Sequence, residues 1–395
     1  MTERATTERL YLADPYLRRF KARVVAVEDL DGKPAAVLDR SAFYPEGGGQ
    51  PGDRGRLGEA SVLDVQDRGG VVLHALDRKL EVGAELEADV DWSRRLDHMQ
   101  QHHGQHLLSA AFEKVHGAAT VSFHLGEKVC TIDLEASISA LDEPALRAAE
   151  AAANDTVFRN LPVVARDFSA EERAGLPLRK EAVKGDRVVV VDGVDASPCG
   201  GTHPRSTGEV GAIAVLKAVK WGSGKARVEF VCGGRVVRSL AEANAQLQQA
   251  ADAFKCAPSE VGAVAQKTAA ESLARRKMAE GLETELAGHV ASQLASETPT
   301  GPVMTKLSRS PQFARSVAQA LSARGRVALV ATVDEGRAHL CFGRPKGVGP
   351  AVNELLKAAL ALLGGKGGGS PDFATGSGDP AKLDEALAAA QASAR

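Results

Sequence analysis

Short apolar or alternating runs separated by turn residues mark the chain up to about residue 92 as β-rich. Phe20 to Glu28 alternates and is rich in Val, Asp31-Gly32 carries a hairpin turn signal, and the apolar run Pro34 to Leu38 follows as a second strand. Shorter runs at 61–65, 71–76 and 85–90, each bounded by Gly or Asp, follow at a spacing that predicts a small β-barrel. One stretch breaks the pattern: Gly47-Gly48-Gly49, flanked by Phe43, Tyr44 and Pro45. The flanking rings argue against a free surface loop, and glycines in this setting predict a place where the backbone approaches a ligand closely.

From Ser93 the period changes to that of a helix, which runs to about His116. Leu96, Met99, His103, Leu107, Ala110 and Ala111 mark its apolar side, and His98, His102 and His106 form a second line at spacing four. Strands at 119–124 and 128–134, an Ala-rich helix at 143–154 and a strand at 162–167 come next. The apolar run Arg187 to Val191 then delivers the chain to Cys199-Gly200-Gly201-Thr202-His203. Residues 210–220 and 225–231 read as a long hairpin turned at Gly222-Ser223-Gly224. From Val237 a heptad line of Val237, Leu240, Asn244, Leu247, Ala251 and Phe254 begins, broken at Lys255 to Pro258. A second helix is predicted over 259–295 with Leu273, Leu282, Leu286 and Val290 on one side, making the pair a helical hairpin or a dimer stalk. After a linker at 297–302, the pattern predicts a helix at 311–323, a hairpin of 326–333 and 337–343, a helix at 351–363, a glycine-rich loop at 364–369 and a last helix from 380. The fold class expected is α+β. It divides into a barrel-like domain at 1–92, an α/β metal-binding domain at 93–235, a helical coiled segment at 236–297 and a C-terminal α/β domain at 298–395.

Composition narrows the chemistry. Aromatic residues make up only 4% of the 395 residues, so the cores must be built from Leu, Val and Ala. The formal net charge of −2 leaves no global basic field for nucleic acid. Any RNA contact must then be a local patch, and Lys217, Lys220, Lys225 and Arg227 on the long hairpin are the densest one. A solvated sheet face, where Lys blocks edge pairing, explains these cations equally well. Five cysteines, an odd number without a disulfide-like rhythm, suit a reducing compartment. The first residues carry no apolar leader and no run is long enough for a bilayer, so a cytoplasmic protein without a membrane partner is expected.

Two pairs of metal-ligand residues stand out. Histidines four apart on a helix share a face, and Cys199 and His203 bracket glycines that let a chain curl around an ion. Three His and one Cys make an N/S set typical of Zn²⁺. A lone HxxxH is more often a polar or core pair than a site. Few structural demands call for Cys-Gly-Gly-Thr-His, however, and the two pairs together carry the reading. Which two of His98, His102 and His106 bind is open from spacing alone.

These motifs resemble the editing domain of alanyl-tRNA synthetase and the free-standing alanyl-tRNA editing proteins of the AlaX type. The likeness extends to Phe43 to Asp53 as the glycine-rich loop, Ser122 to Gly126 with Thr131 to Leu134 as a strand pair, and Arg227 to Gly233 as the closing strand. Gly364 to Gly369 is similar to the C-terminal domain called DHHA1, so the likeness spans nearly the whole chain and matches the long subtype. It implies that the ligating HxxxH is the one followed by two apolar residues, here Leu107 and Leu108. That selects His102 and His106, with Cys199 and His203, as zinc ligands. The family usually has a small residue where this chain has His103; we read His103 as a neighbour around the helix and not as a ligand, free to touch RNA. The resemblance further implies hydrolysis of the ester joining serine, or glycine, to the 3′ ribose of mischarged alanine tRNA. Gln50, Ser41, Gly48 and Gly49 are then the candidate catalytic and recognition groups. Ser41 stands where the family commonly has Thr, a loss of a methyl that bears on discrimination against alanine. Long members pair through the region after Val236, so a homodimer is expected.

Three other classes compete with this reading. A metallopeptidase needs Glu after the first His, where this chain has His103. A DHH-type phosphoesterase needs an Asp-His-His triplet that is absent. A non-catalytic tRNA-binding or oligomerisation protein with a structural zinc is the remaining alternative. A full synthetase is not expected, because the editing-like part begins at the N-terminus. Lys366 in the last glycine-rich segment is a candidate phosphate contact, although the P-loop spacing is absent.

Overall fold

The computed structural model describes residues 6–180 and 186–394. The first residues, read above for a leader, lie in part outside them. The chain forms two compact units, residues 1–247 and 248–395. In the first, β1 (Arg19–Leu30), β2 (Lys33–Leu38), β3 (Gly55–Leu57), β4 (Ala60–Arg68), β5 (Val71–Leu76) and β6 (Glu85–Val90) close into a barrel in the order β1-β2-β5-β4-β3-β6. Its interior follows from the alternation: Val24, Leu38, Leu57, Val62, Val65, Val72 and Leu76 form one buried cluster with Phe43.

α1 (Trp92–His116) leaves the barrel with Asp91 as its N-cap, whose carboxylate accepts from Arg94 N at 3.1 Å. Every residue from Gln101 to Phe112 is buried, so this helix is enclosed on all sides and polar residues on it must find partners. One wall is an antiparallel sheet of β7 (Thr120–Leu125), β8 (Cys130–Leu134), β12 (Ile213–Lys220) and β13 (Ala226–Cys232), in the order β12-β13-β8-β7. Gln101 pins helix to sheet by bonding both backbone groups of Cys232, at 3.0 and 2.8 Å. α2 (Glu143–Phe158) packs on the same core. A smaller sheet of β9 (Val164–Asp167), β10 (Arg187–Val191) and β11 (Asp195–Pro198) ends where the cysteine loop begins.

α3 (Gly234–Phe254) carries the heptad line, and α4 (Val261–Glu297) follows. Val237 and Leu240 on α3 are 69% and 60% exposed, and Leu273, Leu282 and Leu286 on α4 are exposed as well. These are apolar positions that one chain leaves in water. The second unit is a five-stranded sheet of β14 (Val303–Leu307), β15 (Ala328–Asp334), β16 (Arg337–Gly343), β17 (Lys366–Ser370) and β18 (Phe373–Gly378), in the order β14-β15-β16-β18-β17. α5 (Pro311–Ala323) packs with Ala328 and Val330 on one face, while α6 (Val352–Leu362) and α7 (Leu383–Ser393) pack with Leu329 and Ala331 on the other. One expectation is corrected here. The glycines at 364–369 are a loop only at the turn of Gly364 and Gly365: 366–370 is an exposed edge strand paired antiparallel with β18. The lack of side chains lets Leu360 pack against this pair, since a Cβ on Gly367 would lie 2.8 Å from it. Among the described residues no helix is long and apolar enough to cross a membrane.

Candidate metal centre

The four sequence candidates meet at one point. Single ligand atoms of His102, His106, Cys199 and His203 all lie within 4.8 Å of one another. Cys199 Sγ is 3.4 Å from His102 Nε2 and 3.2 Å from His203 Nε2. His98 stays outside, buried one turn earlier with no partner for its Nδ1 among the described residues, so the choice that spacing left open falls on His102 and His106.

Each imidazole in the cluster is held from behind. His102 Nδ1 lies 2.8 Å from Gln50 Oε1, His106 Nδ1 lies 3.0 Å from Asp195 Oδ2, and His203 Nδ1 lies 3.1 Å from His103 Nδ1. With the outer nitrogen so engaged, Nε2 of each ring turns inward, the arrangement that outer partners impose on metal-binding histidines. Asp195 is in turn fixed by Arg179 Nε at 2.7 Å and Ser197 Oγ at 2.9 Å. The cysteine loop is clamped by Arg187, whose Nη1 donates to the carbonyls of Cys199 and Gly201 at 2.8 and 2.9 Å. Gly201 permits the approach: a Cβ there would stand 2.2 Å from His102 Cε1 and 2.9 Å from Gln50 Oε1.

The electrostatics suit a cation. Burial alone would raise the Cys199 thiol, but the imidazoles of His102 and His203 hold it well below its ordinary value, as a thiolate. Burial pulls His106 down, and the bonds to Asp195 and Cys199 outweigh it and lift the ring to about 9. His203 is lowered to about 3, mainly by burial and against the pull of Cys199. A buried thiolate facing three inward nitrogens is a donor set that fits Zn²⁺.

Gln50 is fully buried and belongs to this shell: its Oε1 also accepts from Thr202 N at 3.1 Å and its Nε2 donates to Thr202 Oγ1 at 2.8 Å. Its loop is tight, with Gly47 and Gln50 exchanging backbone bonds and Gly49 set against the Phe123 ring. Among the described residues no hydrogen bond uses the N–H of Gly48 or Gly49. Behind the loop, Arg95 and Asp53 form a fully buried ion pair, with Arg95 Nε 2.9 Å from Asp53 Oδ2, and Tyr44 N donates to the same carboxylate. Ser41 lies inside the barrel, its Oγ 2.8 Å from His74 Nε2 and accepting from Phe43 N at 3.1 Å. Among the described residues no hydrogen bond joins it to the cluster, so Ser41 stands apart from His102, His106, Cys199 and His203.

Two readings change. His103 is fully buried against His203 and therefore cannot meet RNA. The basic patch is partly neutralised: Arg227 bonds Asp133 at 2.7 and 2.9 Å and lies under Trp221, and Lys217 pairs with Glu229 at 3.2 Å. Sequence reasoning missed Asp195, Arg187, Thr202 and the Arg95–Asp53 pair. Asp195 and Thr202 were within reach, as a polar residue entering a strand four positions before Cys199 and as part of the cysteine motif.

The comparisons with known proteins follow this geometry. Residues 17–94 match the family model of class II (A) tRNA synthetases, 187–229 that of the threonyl and alanyl tRNA synthetase second additional domain, and 302–395 that of the DHHA1 domain. The alanyl-tRNA editing protein AlaX-L of Pyrococcus horikoshii is 31% identical over 93% of this chain and 94% of its own length. The chain belongs to the alanyl-tRNA editing proteins. Another member of this editing family, Aarsd1 of Rattus norvegicus, is 31% identical over 90% of both chains. The alanine–tRNA ligase of Halorubrum lacusprofundi is 35% identical over 97% of this chain but only 43% of the ligase.

Proposed function

We propose that this editing protein is a trans-acting deacylase, which hydrolyses the ester between serine, or glycine, and the 3′ ribose of mischarged alanine tRNA. The observation that carries the reading is the bond between Gln50 and His102, which joins the glycine-rich loop to the four-ligand cluster. His102, His106, Cys199 and His203 would hold one Zn²⁺. When bound, zinc supplies a Lewis acid that polarises the ester carbonyl or orients the terminal nucleotide. The chain's own residues do the rest. Gln50 and Asp195 fix the rings of His102 and His106. The Gly48 and Gly49 N–H groups are the donors left for a developing oxyanion, and the loop that carries them is held rigid by Arg95 and Asp53. Ser41, through Phe43 N, supports the loop from the barrel side. Lys220 and Lys225 remain exposed for RNA phosphates. The exposed apolar line of α3 and α4 supports pairing of two chains after Val236. The divisions at 92, 235 and 297 then separate loop-bearing barrel, metal centre, pairing segment and DHHA1-like domain, all acting in the cytoplasm.

The four-ligand set also suits a closed structural zinc in a tRNA-binding protein without catalysis. Deacylation of serine-, glycine- and alanine-charged alanine tRNA, with and without a chelator, decides between them. We expect loss of serine release in the chelated protein and in Cys199→Ala; serine release that persists in both, or is absent from the wild type, rejects the zinc deacylase.

A further inference from the structure

His103 follows the first ligand of α1 and is itself buried in the centre. Its ring is stacked on that of His106, with centroids 6.1 Å apart, and stands edge-on to His203 at 5.2 Å. Its Nδ1 and that of His203 face each other at 3.1 Å. Two ring nitrogens at that distance form a hydrogen bond only if one carries the proton and the other accepts. The remaining geometry decides which. His203 Nε2 lies on the inner side, 3.2 Å from Cys199 Sγ. To offer a lone pair there, a neutral His203 must carry its proton on Nδ1. His103 Nδ1 must therefore accept, which places the His103 proton on Nε2. That atom is among the buried side-chain atoms without a partner in the described residues. The tautomer sequence thus ends on an N–H that the fold leaves unsatisfied, a group that ordinarily carries a cost. The opposite assignment would put a proton on His203 Nε2, aimed at the thiolate, and close the position to a metal.

We propose that His103 is a positioning residue: its Nδ1 accepts from His203 Nδ1–H and holds His203 in the tautomer that presents Nε2 to the metal. It would do for His203 what Gln50 does for His102 and Asp195 for His106, so that every imidazole ligand has its own outer partner. The inference rests on the zinc reading above. Its test measures zinc affinity, by competition with a chromophoric chelator, in the full-length wild type, His103→Leu and His103→Asn. Leu fills the site without an acceptor, and Asn places its Oδ1 near the position of the lost Nδ1. We expect zinc binding to weaken about 10- to 100-fold in His103→Leu, the usual effect of losing an outer partner, and to recover most of that loss in His103→Asn. Equal affinity in His103→Leu and wild type overturns the role of His103 and leaves the metal site standing; a wild type that binds no zinc overturns both. A long-range proton–nitrogen correlation spectrum of the zinc-loaded wild type needs no variant. His103 protonated on Nε2 supports the inference, and His103 protonated on Nδ1 refutes it even where His103→Leu does not fold.

Discussion

Replacing Gly201 by Ala tests whether the cluster depends on the closeness of the cysteine loop to α1. The added methyl would lie 2.2 Å from Cε1 and 2.5 Å from Nδ1 of His102, and 2.9 Å from Gln50 Oε1. Carbon atoms in contact rest at about 3.5–4.0 Å, so ring and loop must part by roughly 1.3 Å. That displacement breaks the 2.8 Å contact between His102 and Gln50 and moves Nε2 out of the cluster. A misplacement of about 1 Å is enough to cost about 100-fold in rate, and loss of an outer partner about 10- to 100-fold in metal affinity. Gly200 supplies the control. A Cβ there meets nothing within 4 Å, and neither glycine has a positive φ that Ala would resist. Zinc affinity by chelator competition and serine release from alanine tRNA should therefore collapse in Gly201→Ala and hold in Gly200→Ala. Wild-type values for Gly201→Ala, or equal damage from the two substitutions, would refute the packing argument.

Other expectations concern stability and assembly. Asp53→Asn removes the counter-charge of the buried Arg95 guanidinium and should lower unfolding free energy by about 3–5 kcal/mol; a loss under about 1 kcal/mol by urea titration would show that the pair does not anchor the loop. Burial lowers His74 from 6.5 to about 4. The unfolded chain then binds a proton that the folded one refuses, so stability should fall by up to about 3 kcal/mol as pH drops through that window. His74→Asn should flatten this slope between urea midpoints at pH 7 and pH 4.5, and an unchanged slope would assign it to other groups. Light scattering should give a dimer for the full chain and a monomer for a chain ending at Arg235, and the reverse pattern would move the interface into the first unit.

Much of the local architecture was legible because it is written in short periods. The alternation of the barrel strands, the helical spacing of α1 and the heptad of α3 follow from how consecutive side chains are displayed by each backbone. The candidate metal-binding residues were legible for a related reason, His98, His102 and His106 on one helix line and Cys199 with His203 across one short loop, although spacing alone left open which two helix histidines bind. The glycines at 367–369 misled because glycine runs signal loops locally, while their strand, 366–370, exists only by pairing with β18. His103 misled because helix spacing gives direction but not burial. What only the tertiary structure decided lies across long stretches of chain. Gln50 reaches His102 over 52 residues, Asp195 reaches His106 over 89, and His103 meets His203 over 100. Such contacts leave no period in the sequence, since they depend on how the barrel, the helix and the small sheet close on one another. The sequence by itself offered the atoms that are able to bind a metal; the enclosure of α1, which packs the outer nitrogens of His102 and His106 against Gln50 and Asp195, decided which way those rings face.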